Sequence, residues 1–164
     1  MSGASYVSRI DPYLFPEMMR DENPKVRQEV ARRIDISRLP EMMGDVDLQV
    51  RCAVARRIDP DRLSEMMTDP SWEVRRAIAE RIDLSRLHEM MEDTSAEVRW
   101  NVARRGSPDL LPKMMKDPNT SVRYWVADRI DPDRLPEMMG DEDWRVRAVE
   151  SKLTHFYSFL TILT

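Results

Sequence analysis

The hydrophobic positions along this chain recur at a fixed interval of 24 residues. Pairs of adjacent methionines mark the interval: Met18-Met19, Met42-Met43, Met66-Met67, Met90-Met91, Met114-Met115 and Met138-Met139. A Val-Arg pair keeps the same interval at Val26-Arg27, Val50-Arg51, Val74-Arg75, Val98-Arg99, Val122-Arg123 and Val146-Arg147. A gapless period of this length is typical of one supersecondary unit that stacks on copies of itself. Equivalent positions of successive repeats are called a column below.

Prolines divide each repeat into two helices of different kinds. Asp59-Pro60 fits a helix start, because aspartate caps an N-terminus and proline needs no hydrogen-bond donor at the first helical position. Four residues after this point a further proline often stands, at Pro16, Pro40, Pro112 and Pro136. A proline there removes a bond that an α-helix requires. The pattern therefore predicts short 3₁₀ turns, which carry Leu63, Met66 and Met67 into the interior.

The second half of each repeat has α-helical periodicity. An α-helix is predicted to start at Asp69-Pro70 and to run to about Arg81. Val74 and Ile78 fall in one narrow stripe of the helical wheel. The next position is alanine in every complete copy, at Ala31, Ala55, Ala79, Ala103 and Ala127, which indicates close approach of a neighbouring helix. No segment alternates as a strand would, so the sequence predicts an all-α fold without β-sheet.

The run from Val50 to Leu63, VRCAVARRIDPDRL, resembles the unit of the leucine-rich repeat variant family. The resemblance covers nearly everything from Tyr6 to about Leu153. It implies a right-handed superhelical solenoid of alternating α- and 3₁₀-helices. The family is known from nitrogen-fixing bacteria, and some members carry a cysteine-rich iron–sulfur module ahead of the repeats. Because Cys52 is the only cysteine here, neither the cluster nor a redox role is carried over, and no cofactor is expected.

We expect one repeat domain over residues 2–153. It comprises a partial N-terminal repeat, five full repeats over residues 26–145 and a degenerate last repeat. The apolar residues 154–164 are predicted to fold back as a cap on the exposed last face. A dimer contact and the stub of a longer array are the alternatives for this segment. Its longest apolar stretch, Phe156 to Leu163, is too short to span a bilayer.

The composition describes a mildly acidic chain. Formal net charge is −4, from 26 basic and 30 acidic side chains, so there is no global basic field to recruit nucleic acid or anionic membrane. A single cysteine excludes an internal disulfide and favours a reducing compartment. With no recognisable signal peptide at the start of the chain, the predicted location is the cytoplasm.

Arginine and aspartate occupy matched columns. The arginines are Arg27, Arg51, Arg75, Arg99, Arg123 and Arg147, then Arg9, Arg33, Arg57, Arg81, Arg105 and Arg129. The aspartates are Asp21, Asp45, Asp69, Asp93, Asp117 and Asp141, then Asp11, Asp35, Asp59, Asp83 and Asp131. We favour a structural ladder of Arg–Asp pairs and capped helix ends, because Arg81 falls among apolar residues on the helical wheel. The alternative is a basic ribbon that follows nucleic-acid phosphates.

The helix face opposite the apolar stripe varies between repeats, and it carries the candidate binding site. Trp and Tyr are frequent anchors of protein interfaces. The predicted partner-binding residues are Trp100, Tyr124, Trp125, Arg76, Arg104 and Asp128. The alternative is that the rings pack on a neighbouring repeat or on the C-terminal tail. Trp72 and Trp144 occupy another column and are expected to pack between copies.

Catalytic and metal-binding patterns are absent from the sequence. His88 and His155 have no partner at ligand or triad spacing, and the carboxylates recur with the helix starts. We therefore predict a non-catalytic scaffold that binds another protein, with no membrane and no small-molecule substrate. Nucleic-acid binding through the arginine columns is the alternative.

Overall fold

A computed structural model describes residues 12–149 of the chain. Within this span there are eight α-helices and five 3₁₀-helices, and no strand. The α-helices are α1 (Phe15–Met18), α2 (Pro24–Arg33), α3 (Leu48–Ala55), α4 (Trp72–Ala79), α5 (Ala96–Arg105), α6 (Leu111–Met114), α7 (Thr120–Arg129) and α8 (Trp144–Arg147). The 3₁₀-helices are η1 (Pro12–Leu14), η2 (Ile36–Met42), η3 (Pro60–Met66), η4 (Leu84–Met90) and η5 (Pro132–Met138). The predicted cap, residues 154–164, lies outside the described residues.

The chain divides into two compact units, Met1–Asp83 and Leu84–Thr164. In the first unit α2 contacts α3 and α3 contacts α4, while η2 lies against α3 and η3 against α4. In the second unit α5 contacts α7 and α7 contacts α8, and η4 lies against α5. Each unit therefore stacks α-helices of successive repeats on one another, with 3₁₀-helices beside them. The boundaries predicted for a single repeat domain stay a prediction.

The core consists of the columns that do not vary. Val74 and Ile78 are fully buried, and the alanine column that follows them is buried in all five copies. The first methionine of the later pairs is buried as well, at Met42, Met66, Met90, Met114 and Met138. The second methionine, Met67 for example, is only partly buried. Successive residues of a 3₁₀-helix point about 120° apart, so the two members of a pair do not face the core together.

In two copies the segment predicted as 3₁₀ is instead a four-residue α-helix, α1 or α6, because Pro16 and Pro112 fall in the first turn, where a proline is tolerated. The helix starts agree with the sequence at Asp59 and differ in the second half of the repeat. Asp59 caps η3 and accepts the Asp61 N–H at 3.1 Å, as predicted. The α-helix, however, begins at Trp72 with Ser71 as its N-cap, two residues later than the predicted start. Asp69 precedes the cap, where its carboxylate accepts the Ser71 N–H at 2.8 Å. The prediction that Asp69 caps this helix was therefore wrong, because its carboxylate orders the preceding turn and binds an arginine.

That arginine comes from the preceding repeat, and the pairing recurs along the chain. Arg51 donates two parallel hydrogen bonds to the Asp69 carboxylate, from Nε to Oδ2 at 2.7 Å and from Nη2 to Oδ1 at 3.0 Å. Its third nitrogen, Nη1, donates to the Asp45 carbonyl at 2.8 Å. The same two-bond pairing joins Arg27 to Asp45, Arg99 to Asp117 and Arg123 to Asp141. For these pairs the predicted Arg–Asp ladder is present, and its planar fork geometry is the strong form of such a bond.

In the second arginine column, Arg57, Arg81 and Arg129 bind backbone carbonyls of the preceding repeat. Arg81 donates from Nη1 to the Ala55 carbonyl at 2.7 Å and from Nη2 to the Ile58 carbonyl at 2.9 Å. Arg57 and Arg129 make the equivalent two bonds to the preceding repeat. These carbonyls end an α-helix and have no partner within it, and a cation suits that end of the helix dipole. The column therefore caps helix C-termini instead of extending the ladder.

The ladder makes stability sensitive to acid over a defined range. Hydrogen bonds from Arg123 hold the pKa of Asp141 below its ordinary value of 3.8. At Asp45 burial acts in the opposite direction, but bonds from Arg27 and from the Asp47 N–H still lower the pKa. A carboxylate of this kind stabilises the fold above its ordinary pKa, and the contribution is lost as the pH falls through the lowered value.

We therefore expect the stability advantage of the wild type over Asp141→Asn to depend on pH. In urea unfolding at successive pH values, the difference in free energy should be constant near neutral pH and narrow below about pH 4. A difference that does not change down to about pH 2 would contradict the ladder.

One repeat departs from the others between α5 and α7. Gly106 stands in a column of isoleucine, at Ile34, Ile58, Ile82 and Ile130. Leu110 stands in a column that holds arginine in four copies, at Arg38, Arg62, Arg86 and Arg134, and leucine in the first, at Leu14. A Cβ on Gly106 would lie 3.2 Å from Leu110 Cδ1 and 2.7 Å from the Val102 carbonyl oxygen. Leu110 is only 7% exposed, so its side chain takes the space that isoleucine fills elsewhere.

Candidate binding groove

The variable faces of α5, α7 and α8, all in the second unit, form an open groove with aromatic walls. Its volume is about 560 Å³. Its lining comprises Trp100, Thr120, Ser121, Tyr124, Trp125, Trp144, Arg145, Ala148 and Val149. Counting repeats from the start of the 3₁₀-helix, as in residues 59–82, the aromatic residues come from three successive repeats.

Trp125 lies at the centre of the aromatic cluster. Its ring meets Trp100 edge-to-face, with centroids 5.7 Å apart at 90°, and meets Tyr124 at 6.2 Å and 85°. Edge-to-face contact is a favoured arrangement of aromatic rings. In the preceding repeats the Trp125 column holds Ala53, Ala77 and Asn101, so this repeat has a large side chain where its neighbours have small ones.

A polar network reaches Trp100 through Arg104. The Arg104 guanidinium lies 5.2 Å from the centroid of the Trp100 ring, within range of a cation–π contact. Arg104 Nη2 also donates to Asn101 Oδ1 at 3.1 Å, and Asn101 Nδ2 donates to the Glu97 carbonyl at 3.1 Å. Asn101 is fully buried. The orientation of Trp100 is therefore supported before any ligand binds.

Arg145 is the charged side chain of the groove lining, and an aspartate neutralises it. Asp143 accepts from Arg145 Nε at 3.0 Å and from Arg145 Nη2 at 2.8 Å. Asp143 is also the N-cap of α8, where it accepts the Arg145 N–H at 2.8 Å. These bonds lower the pKa of Asp143 to about 2. The groove therefore presents aromatic rings and hydroxyl groups with little net charge.

The chemistry available at described positions is that of binding. Cys52 is 2% exposed, and burial raises the pKa of its thiol, so the thiol stays protonated and is a poor nucleophile. Across residues 12–149 no group of three His, Cys, Asp or Glu side chains is placed to hold a metal ion. None of the helices in that span is both long and apolar enough to cross a membrane.

A family model and a solved structure both match the repeat of this chain. Residues 48–71 match the family model described as leucine rich repeat variant. A solved structure, described as a leucine-rich repeat variant with a novel repetitive protein structural motif, superposes with a TM-score of 0.85 and 34% sequence identity. The aligned region covers 89% of this chain and 63% of the other. The predicted resemblance to the leucine-rich repeat variant family is confirmed by both matches. The predicted fold class, an all-α repeat solenoid, is thereby confirmed. No curated protein matches the sequence significantly.

The fold brings three of the six predicted site residues into one groove, namely Trp100, Tyr124 and Trp125. Arg104 touches the site through the Trp100 ring without lining the groove. Asp128 is exposed and does not line it. Arg76 belongs to α4 of the first unit, where its Nε lies 3.7 Å from Glu80 Oε1.

Trp144 is the groove residue that sequence reasoning misplaced. Trp144 is the first residue of α8, and its side chain is 67% exposed. Trp72, in the same column, is 41% exposed. The prediction that both pack between copies was wrong, because both rings are exposed. Within the second unit, the preceding position of this column is Thr120, which is too small to cover the Trp144 ring. The variable face also includes one inward position, the buried Cys52.

Proposed function

We propose that this protein is a non-catalytic scaffold that binds another protein through the aromatic groove. The observation that carries the proposal is the contact of Trp125 with both Trp100 and Tyr124 in an open groove. Clustered Trp and Tyr side chains supply most of the binding energy at many protein interfaces. All three rings are partly buried, so each is held by the fold and still presents surface to a partner.

The surroundings of the groove support binding with a small entropic cost. Arg104 contacts the Trp100 ring and donates a hydrogen bond to the buried Asn101. The helix α7, which carries Tyr124 and Trp125, is joined to the next repeat by the two bonds from Arg123 to Asp141. A site whose side chains are already ordered loses less conformational freedom on association. Preorganisation of this kind favours a specific partner.

Nucleic-acid binding, the alternative from the sequence, has no comparable support. Arg27, Arg51, Arg99 and Arg123 direct their guanidinium groups to carboxylates and carbonyls of the protein. Exchange of these contacts for phosphates would break the bonds that join the repeats. Location in the cytoplasm and a bacterial source stay predictions, based on the lone cysteine and on the family.

Affinity capture from native lysate tests the proposal when the wild type is compared with Trp100→Ala/Tyr124→Ala/Trp125→Ala. The expected result is a protein partner that survives nuclease treatment and is lost from the triple variant. Trp72→Ala removes an exposed indole outside the groove and should retain the partner. Circular dichroism establishes that each variant is folded. A partner that the folded triple variant retains, or that nuclease releases, would overturn the proposal.

A further inference from the structure

We infer that residues 150–164 of this chain occupy the aromatic groove in the free protein, so that a partner must displace them before it binds. Val149 is the last described residue, and these fifteen residues follow it. The occupancy itself is independent of the proposed function, and only the competition with a partner rests on it. Three observations carry the inference: the place where the described chain ends, the reach of the segment, and its side chains.

The described part of the chain ends in the wall of the groove. Ala148 and Val149 both line the groove, and they are the next members of the Tyr124 and Trp125 columns, one repeat further on. Residue 150 therefore starts at the groove itself, in the same unit. A segment joined so closely to a site is present there at an effective concentration on the order of millimolar. A contact with an intrinsic dissociation constant of about 0.1 mM is then occupied about nine-tenths of the time.

The segment is long enough to cross the whole groove. The groove extends from Trp144 on α8 to Trp100 on α5, with α7 between these helices. Trp100 lies about 20 Å from the start of the segment, because packed helices are about 8–10 Å apart. An extended chain advances about 3.3 Å per residue, so about six residues span this distance. Phe156 and Tyr157, seven and eight residues beyond Val149, therefore reach the Trp100 ring.

The side chains of the segment match those of the groove. Residues 153–164 include no Asp, Glu, Lys or Arg, and they include two of the three phenylalanines of the chain, Phe156 and Phe159. The groove carries little net charge, because Arg145 is paired with an aspartate, and the Trp144 side chain is 67% exposed. Contacts between aromatic rings add to the gain from burial of their area. The segment and the groove both lose contact with water when they meet.

This occupancy differs from the cap that the sequence predicts. A cap covers only the last face of α8, whereas an occupant of the groove contacts α7 and α5 as well. Trp100 separates the two arrangements best, because it belongs to α5 and α7 lies between α5 and α8. Contact of the segment with Trp100 or Trp125 therefore requires that the segment lies in the groove.

Photo-cross-linking in the full chain tests the occupancy. Phe156→benzoylphenylalanine puts a photoreactive ring into the segment, and this ring forms a covalent bond only with groups in contact with it. Trypsin cuts after Arg99, Arg123 and Lys152, so Trp100 and the segment are recovered on separate peptides, and mass spectrometry identifies which peptides are joined. We expect bonds to the peptides that begin after Arg99 and Arg123, in the folded monomer and not in chain unfolded by urea.

Two other results of this experiment would overturn the inference. Bonds confined to α8, or no bond at all in the folded chain, would exclude the groove as the place of the segment. A cross-linked dimer whose yield rises with protein concentration would show that the occupant is the segment of a second copy.

Binding of the segment in trans tests the competition. The probe is a labelled synthetic peptide of residues 150–164, measured by fluorescence anisotropy against the full chain. Phe156→Ser/Phe159→Ser releases the groove, so this variant should bind the probe about tenfold more tightly than the wild type, as expected for an internal competitor at millimolar effective concentration. Trp100→Ala added to this variant should remove most of the gain, whereas Trp72→Ala, outside the groove, should leave it unchanged. Equal binding by the wild type and the released variant would overturn the inference.

The inference and the proposed function fail on different results. Capture from lysate with Phe156→Ser/Phe159→Ser should recover about tenfold more partner than the wild type, because a blocked site lowers the apparent affinity by the fraction that is open. A cross-link in the groove, with a partner that the folded triple variant retains, would overturn the proposed function and leave the occupancy in place. A partner lost from the triple variant, without a cross-link in the groove, would overturn the inference and leave the proposed function in place.

Discussion

Replacement of Arg123 by alanine is expected to lower the free energy of unfolding by about 3–5 kcal/mol, because it breaks a largely buried ion pair from one side only. Arg123 is 6% exposed. Besides its two bonds to Asp141, it donates to the Asp117 carbonyl at 2.9 Å. The alanine variant leaves the largely buried Asp141 carboxylate without its guanidinium partner. Urea denaturation followed by far-UV circular dichroism measures the loss.

Arg134→Ala is the matched control for this variant. Arg134 also forms a two-bond pair, with Glu137 at 2.7 and 3.1 Å, but both side chains are about half exposed. An exposed pair of this kind contributes little to stability, because water screens it and its side chains lose conformational freedom. Similar small losses for Arg123→Ala and Arg134→Ala would show that the ladder does not stabilise the repeats. A large loss for Arg123→Ala alone is the expected result.

Gly106 and Leu110 are expected to behave as a coupled pair. Leu110→Ala alone empties a buried site and should cost about 2–5 kcal/mol. Gly106→Ile alone crowds Leu110 and should cost about 1–3 kcal/mol. The double variant puts isoleucine into the vacated space, as in the other repeats, so its loss should be smaller than the sum by about 1–3 kcal/mol. A double-mutant cycle in urea measures this coupling energy.

The control for the glycine substitution is Gly140→Ala. No atom beyond its chain neighbours lies within 4 Å of a Cβ built there, and no glycine at described positions has a positive φ. Its effect should therefore stay within about 0.5 kcal/mol, as for most surface substitutions. Strictly additive losses in the Gly106 and Leu110 cycle would contradict the exchange of space between the two side chains.

Much of the fold could be predicted because the repeats of one chain can be compared with each other. Fixed columns such as Val74 and Ile78 proved to be core. The start of the α-helix was misplaced because Asp69-Pro70 has the form of a cap. A better signal was present in the column of the true N-caps, which holds only Asn, Asp and Ser at Asn23, Asp47, Ser71, Ser95, Asn119 and Asp143. The partner of Arg81 was not predictable, because a helical wheel shows where a side chain points but not which repeat it meets.

The candidate site was predictable in part for the same reason. Trp100, Tyr124 and Trp125 stood out as large rings in variable columns, and they meet in space. Trp144 was missed because the first residue of a helix lies off the stripe that a wheel describes, so its exposure depends on how well adjacent repeats cover it. Arg76 was included among the predicted binding residues only because it shares a column with Trp100 and Tyr124. A shared column does not bring residues of different repeats close to the same rings.

The two arginine columns have a consequence for how such a protein evolves. Arg27 reaches forward to Asp45 of the next repeat, while Arg57 reaches back to the Ala31 and Ile34 carbonyls of the one before. Within each unit, successive repeats are thus joined head to tail by connectors of the same two kinds. A duplication or deletion of one 24-residue segment by recombination would form the same junctions again. No arginine or aspartate of the ladder would lose its partner. Array length is then free to vary among descendants, while the variable faces diverge to recognise new ligands.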